Sequence, residues 1–488
     1  VKDFYTNCSI WGNNLLYRGI RNGERISERV PYQPTLFVPS NKSSKFKTLD
    51  GSHVEKICPG GIYDTKDFIE KYKDVEGFKI FGNTSYQYCH IADSFPGEVE
   101  YDRDKIIIAN IDIETSSENG FPEAEMAAEQ VLSICVKMKG KYNVFGCGAF
   151  DSSGMPDVTY KKFLCERDLL IGFLDFWSNN YPDAITGWAC STYDIPYLVN
   201  RITNVCGATF AKKLSPWRNF TQKSITIFGK QKQIFSLVGI SMLDYMELYK
   251  KFAKNSHQES YKLNHIANVE LGESKLSFEE YGTLRKLYKE NYQKYIEYNI
   301  KDVNLVDNLD NKLKLIDLVL GMAYDAKVNY DDVFGQVRVW DSLIFNELKK
   351  DNIVVPSKCD KEAEPYTGGY VKEPIRGLHK WVACFDANSL YPSLIQMFNI
   401  SPDALCDNCA PVNVTVDDLL ERKWENNLAG SITMAANGHT FQSNFTGFLS
   451  KMMKRLYLER KEYKGKMLDS MKELERVKLE IQTRGLKV

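Results

Sequence analysis

The run Ile106-Ile-Ile-Ala-Asn-Ile-Asp-Ile113 constrains this 488-residue chain more than any other feature. A nearly continuous, β-branched apolar stretch predicts a strand in a sheet covered on both faces, since a half-exposed strand would alternate apolar with polar residues. Leu132–Met138 and Tyr142–Ala149 have the composition of its neighbours. Glu166–Trp177 has helical spacing, and Ala184–Trp188 is another short buried strand. Strands alternating with helices predict an α/β domain over residues 104–312. Inside it, Ser224–Phe228 and Gln233–Val238 flank Gly229-Lys-Gln-Lys232, a hairpin with a basic tip, and a long helix is expected from Tyr288 to about Leu320.

The same strand carries chemistry. Asp112 and Glu114 are two apart, so their side chains emerge on one face. Two carboxylates so close repel unless a cation lies between them. Asp194 follows Thr186-Gly-Trp at the start of a helix (Ile195–Arg201), where capping is the plainer explanation. Tyr298-Asn-Ile-Lys-Asp302 sets a phenol and a carboxylate at i and i+4 on one helical face, a pattern that is usually structural when it stands alone. The four acids together supply enough oxygen ligands for two Mg²⁺ or Mn²⁺ ions about 4 Å apart, with Tyr298 placed to orient an attacking water.

Elsewhere the signals are of a different kind. Residues 1–103 read as short strands and turns (Ser9–Tyr17, Tyr32–Val38) in a small mixed domain. Sixty-three basic and 64 acidic residues cancel, so net charge excludes no partner. Residues 451–488, however, hold 12 basic and 6 acidic side chains on a proline-free helical stretch, a solvated face or an electrostatic footprint for phosphate. No apolar run approaches the roughly 18 residues of a membrane span, and Val1-Lys-Asp-Phe-Tyr lacks a signal-peptide pattern. A soluble, non-secreted protein is expected. Cys406-Asp-Asn-Cys409 without a second pair argues only weakly for zinc, and free thiols are expected.

A second candidate site is incomplete. Trp381-Val-Ala-Cys-Phe-Asp386-Ala-Asn-Ser-Leu-Tyr391-Pro-Ser393 reads as a strand delivering one carboxylate to a tight turn. Tyr366-Thr-Gly-Gly369 breaks the chain before it, and Arg460 and Lys464 share a helical face after it. No Asp-x-Asp pair on a strand follows it. Tyr330-Asp331-Asp332 lies before this segment and reads as a surface turn. One aspartate cannot hold two cations against their mutual repulsion.

Asp-x-Glu, Gly-Trp…Asp and Tyr-x-x-x-Asp in this order resemble the proofreading 3′–5′ exonuclease of family B DNA polymerases. Leu214-Ser-Pro-Trp-Arg and Leu243-Asp-Tyr-Met-Glu-Leu-Tyr-Lys-Lys-Phe252 resemble the T-even-like bacteriophage branch. The resemblance implies an α/β multidomain fold: an N-terminal domain (1–103, completed by about 313–357), an RNase H-like exonuclease (104–312), part of a palm (358–445) and a first fingers helix (446–488). It implies Asp112, Glu114, Asp194 and Asp302 as metal ligands, Tyr298 as catalytic, and Lys275 as a supporting cation. The hairpin would help part primer from template.

Asp386 with Ser389, Leu390 and Tyr391 is similar to polymerase motif A. There the aspartate binds both catalytic Mg²⁺ ions, the following amides and hydroxyl hold the dNTP triphosphate, and the tyrosine packs under the deoxyribose. Tyr366, Gly368 and Gly369 match a template-contacting loop, and Arg460 and Lys464 a γ-phosphate grip. The resemblance implies primer–template DNA as partner, no membrane, and action in the cytoplasm of an infected bacterial host. It also implies a C-terminal polypeptide carrying the rest of palm, fingers and thumb, as in a naturally divided polymerase, with a phage sliding clamp engaged through that chain. A stand-alone exonuclease with a vestigial palm and a non-catalytic DNA-binding assembly subunit are the other readings.

Overall fold

The structure, a computed structural model, describes residues 2–117, 120, 122–227, 229–356, 369, 371–406, 414–423 and 430–484. They form two compact units, Val1–Val38 with Lys56–Lys350, and Pro39–Glu55 with Asp351–Val488.

The first unit begins with an antiparallel sheet of Phe4–Trp11, Asn14–Arg21 and Glu24–Pro31. The expected strand Ser9–Tyr17 is instead two strands. Gly12 takes φ +60° and reverses the chain between them. From this sheet the buried Arg18 donates to the carbonyl of Pro182 at 2.8 Å. Arg25 pairs with the buried Asp183 at 2.6 Å, and the other oxygen of Asp183 accepts from Ile107 N at 2.8 Å. A buried charge held on both sides in this way tolerates desolvation, and it fixes the strand that follows Ile107.

That strand, Ile108–Thr115, is central in a six-stranded mixed sheet. The spatial order is Ser241–Met242, Ala184–Thr186, Ile108–Thr115, Val131–Met138, Lys141–Gly146, Val158–Lys162. It runs parallel to Ala184–Thr186 and antiparallel to Val131–Met138. Both faces are covered, as its composition requires. Ala109, Ile111 and Ile113 pack among Leu169, Phe173 and Leu198 of the helices Glu166–Asn179 and Asp194–Cys206. The alternate residues face the helix Tyr292–Leu313, where Asn110 Nδ2 donates to Val303 O at 2.8 Å.

Three expectations change. The single helix from Tyr288 to Leu320 is three helices, Leu284–Glu290, Tyr292–Leu313 and Leu315–Ala326. Asn291 caps the second by accepting from Lys294 N at 3.0 Å, and Lys314 in the left-handed region ends it. The hairpin strands run further than expected, Phe220–Ile227 with Lys230–Leu237. Lys230 and Lys232 are therefore ladder residues paired with Ile227 and Ile225, not a tip. Tyr330-Asp331-Asp332 is no surface turn, because Tyr330 is fully buried in a short 3-10 helix. Asp332 accepts from Tyr88 Oη at 2.6 Å, and Asp331 from Ser241 Oγ at 3.2 Å.

In the second unit the helix Leu390–Phe398 packs on the 36-residue helix Phe448–Thr483. Asn399 closes the junction: its Nδ2 donates to Gln442 O and Phe445 O, and its Oδ1 accepts from Gly447 N at 2.9 Å. Ser450 Oγ donates to Ile395 O at 3.0 Å. Residues 381–386 form no strand. Among the described residues nothing pairs with them, and a strand without a partner ladder has no source for its backbone hydrogen bonds. Trp381 and Phe385 are accordingly exposed. Beyond its first turns the long helix is exposed as well, including Met467, Met471 and Leu474.

Candidate active site

Asp112 and Glu114 project from one face of the central strand, and Asp302 reaches them from the helix Tyr292–Leu313. Carboxylate oxygens of these three residues lie within 4.8 Å of one another, the one such group of three or more potential metal ligands among the described residues. Burial raises the Asp112 carboxyl well above the ordinary carboxylate range, and Asp302, Asp194 and Glu114 add to it. Burial likewise pushes Glu114 up to about 8 and Asp194 up to about 7. Burial raises Asp302 too, with Lys275 pulling it back.

The residues around the cluster hold it in place. Asn299 donates from Nδ2 to Asp112 Oδ2 at 2.6 Å, while its Oδ1 accepts from Ser133 Oγ at 3.0 Å. Lys275 Nζ forms an ion pair with Asp302 Oδ2 and donates to Tyr298 Oη at 3.2 Å. Burial alone would lower the lysine's pKa, but Asp302, Tyr298 and Asp112 outweigh it and hold the ammonium above its ordinary range. Tyr298 is buried edge-on to Phe278 at 5.7 Å.

Asp194 stands apart from the triplet. It is the first residue of its helix, after the N-cap Tyr193. Its Oδ1 accepts from Ile113 N at 3.0 Å, tying the helix start to the central strand. The turn before it is shaped by Gly187, where a Cβ would meet Ile111 O at 2.5 Å. Asp244 then gathers that turn, accepting from Ala189 N, Ser191 N and Ser191 Oγ.

The donor set fits a hard divalent cation. Three carboxylates face one lysine, and Asp302 Oδ1 is buried with no hydrogen-bond donor. A buried acceptor without a donor is costly unless a positive group comes to it.

Among the described residues Asp386 belongs to no such group. It is exposed, as are Arg460, Lys464 and Tyr391, and Leu390 is about half exposed. Ser389, in the left-handed region at φ +50°, precedes the helix Leu390–Phe398. Gly369 has open space around it. Tyr366, Gly368 and Cys409 lie outside the described residues, and Cys406 is a half-buried free thiol.

Comparison with known proteins decides the family. Residues 54–266 match the model for DNA polymerase family B, exonuclease domain, and residues 334–488 match that for DNA polymerase family B. The chain belongs to DNA polymerase family B. Over its whole length it is 32% identical to the DNA-directed DNA polymerase of Escherichia phage RB69. It is 29% identical, over 98% of its length, to that of Enterobacteria phage T4. A more distant relative is the DNA polymerase catalytic subunit of Alcelaphine herpesvirus 1, 27% identical over 62% of this chain and 31% of the relative. The chain spans about half the length of the two phage relatives, 56% and 55% respectively. Within this family B chain the exonuclease match holds Asp112, Glu114 and Asp194, whereas Tyr298 and Asp302 lie between the two matched spans.

Sequence reasoning missed Asn299 and Ser133. A signal for Asn299 was present: it stands three residues before Asp302, so both face the same strand.

Proposed function

We propose that this chain is a metal-dependent 3′–5′ exonuclease on single-stranded primer ends, joined to one side of a nucleotidyl-transfer site. The triplet of half-buried Asp112 and Glu114 and buried Asp302, with its donorless Asp302 Oδ1, carries the first part. Asp112, Glu114 and Asp302, with Asp194 beside them, would hold two Mg²⁺ or Mn²⁺ ions. When bound, such ions stabilise charge on a phosphodiester and lower the pKa of water. The chain's own groups position the reaction. Asn299 fixes the Asp112 carboxylate, and Lys275 holds Asp302 and Tyr298 in one arrangement. Tyr298 then orients the attacking water.

In the second unit, Asp386 would be a metal ligand, with Ser389, Leu390 and Tyr391 contacting the dNTP and Arg460 and Lys464 its γ-phosphate. Tyr366, Gly368 and Gly369 would contact the template. Primer–template DNA is the substrate. Supporting a further partner, Trp381, Phe385, Met467, Met471 and Leu474 are exposed apolar side chains of the kind a protein surface covers. We read that cover as a second polypeptide bearing the remaining palm carboxylates, fingers and thumb, and the route to a sliding clamp. No helix among the described residues is long and apolar enough to cross a membrane, in keeping with replication in the cytoplasm of an infected bacterial host.

Hydrolysis of a 5′-labelled single-stranded oligonucleotide with Mn²⁺ tests the reading. Asp112→Ala and Asp302→Ala should each abolish it, and wild-type rates in both would refute the assignment.

A further inference from the structure

Asp244 makes more hydrogen bonds than its place in the chain requires. It is the N-cap of the helix Tyr245–Phe252, and a cap needs one acceptor bond, here from Met246 N at 3.0 Å. The carboxylate is buried and accepts three more. Its Oδ1 takes Ala189 N at 3.2 Å, and its Oδ2 takes Ser191 N at 3.0 Å and Ser191 Oγ at 2.7 Å. These donors belong to a single turn, 53 to 55 residues earlier in the chain.

That turn does not hold itself. Ala189 sits at φ +62°, a left-handed conformation that is unfavourable for a residue with a Cβ. From this strained residue the backbone runs directly into Asp194. Ala189 O accepts from Tyr193 N at 3.1 Å, Cys190 O accepts from Ile195 N at 3.0 Å, and Asp194 lies between those two donors. On the other side Gly187 O accepts from Tyr245 N at 2.9 Å. The connection 187–195 is therefore tied at one end to Asp244 and Tyr245. At the other end it is tied to the central strand, through Asp194 Oδ1 and Ile113 N. Strained backbone persists where its surroundings over-determine it, and here the buried Asp244 carboxylate supplies that constraint.

We propose that Asp244 is a positioning residue for the exonuclease. It clamps the strained turn and so sets Asp194 against Asp112, Glu114 and Asp302, which fixes the affinity for the ion that Asp194 helps to hold. The proposal rests on the exonuclease reading in taking Asp194 as a metal ligand.

Asp244→Ser separates this role from capping. Serine caps a helix about as well as aspartate, but its single short hydroxyl cannot also grip Ala189 and Ser191. Hydrogen exchange of the whole chain in EDTA should show residues 187–195 exchanging about tenfold faster in D244S, with the helix Tyr245–Phe252 protected as in the wild type. Calorimetric titration with Mn²⁺ counts the ions bound beyond those left in D112A/D302A. The wild type should bind two. D244S should keep one at wild-type affinity and bind the other about 10–100-fold more weakly, the same ion that D194A loses. Ser191→Ala removes one of the three turn bonds and leaves Asp244 in place, so it should shift that ion's affinity in the same direction by about three- to tenfold. Thermal melts confirm that each variant is folded.

Two ions at wild-type affinity in D244S and S191A would overturn the proposal. So would equal loss of both ions, or faster exchange confined to the helix Tyr245–Phe252, which would leave Asp244 as a cap alone. A wild type that binds no Mn²⁺ would overturn this proposal and the exonuclease reading together. Hydrolysis of a 5′-labelled oligonucleotide by the wild type is read separately. Its absence, with the exchange and metal differences intact, would refute the exonuclease reading and leave the positioning of Asp194 supported.

Discussion

Asn299 Nδ2 lies 2.6 Å from Asp112 Oδ2, and the same amide accepts from Ser133 on the neighbouring strand. One side chain thus locks a carboxylate of the central strand to the helix that supplies Asp302. Groups that orient metal ligands typically matter by about 10–100-fold in metal affinity or activity. Asn299→Ala should raise the Mn²⁺ concentration for half-maximal hydrolysis by about that factor. Asn299→Asp should do worse, because it adds a fourth buried negative charge to the cluster. A metal titration of oligonucleotide hydrolysis checks both.

The raised carboxyls predict how stability responds to pH. Glu114 is pushed up to about 8 and Asp194 to about 7, against unfolded values near 4. The folded state therefore binds more protons than the unfolded state over this range, and stability falls as pH rises through it. Without metal, Tm should rise as pH is lowered from about 8.5 to 6.5. Saturating Mg²⁺ should flatten that trend, because the ions favour the ionised carboxylates. Glu114→Gln should reduce the trend as well. Melting curves across pH, with EDTA and with Mg²⁺, measure it, and a metal-free Tm that climbs with pH would contradict the electrostatics of the site.

Gly187 is required by space. A Cβ there would stand 2.5 Å from Ile111 O, which belongs to the strand carrying Asp112 and cannot give way cheaply. Gly187→Ala must displace the turn that leads to Asp194, which is otherwise fixed to Ile113 N at 3.0 Å. A loss of about 2 kcal/mol or more is expected from such backbone crowding. Denaturant unfolding measures it, and hydrolysis should fall at the same time.

How much of this was legible in the sequence depended on whether the signal was local. The run at 106–113 forecast a strand covered on both faces, and Asp112 and Glu114 followed from its two-residue period. Asp302 could be placed on a helical face but not in register with the strand, because that register is set by Asn110, Ser133 and Asn299 across the sheet and helix. Asp194 could be placed at a helix start, but only the tertiary structure shows its carboxylate accepting from Ile113 N on the central strand. The long helix from Tyr288 was misjudged because Asn291 and Lys314 interrupt it without proline or glycine. The Asp386 segment failed as a strand for a different reason. Its composition suits a sheet, but composition carries no information about whether a partner strand is within reach.

The exposed Asp386 yields a prediction that separates the two halves of the proposed activity. Among the described residues no carboxylate pair joins it, so it cannot by itself hold two cations. Primer extension by this chain with dNTPs and Mg²⁺ should be undetectable, and should appear on adding a C-terminal polypeptide that carries the remaining palm carboxylates. Asp386→Ala should abolish that restored extension while single-strand hydrolysis continues, because Asp112, Glu114 and Asp302 form their own cluster without it. Arg460→Ala with Lys464→Ala should instead raise the dNTP KM, by about tenfold for loss of a γ-phosphate grip. Extension by the unsupplemented chain would show that the carboxylates are complete within these 488 residues. Restored extension that survives Asp386→Ala would remove Asp386 from the site.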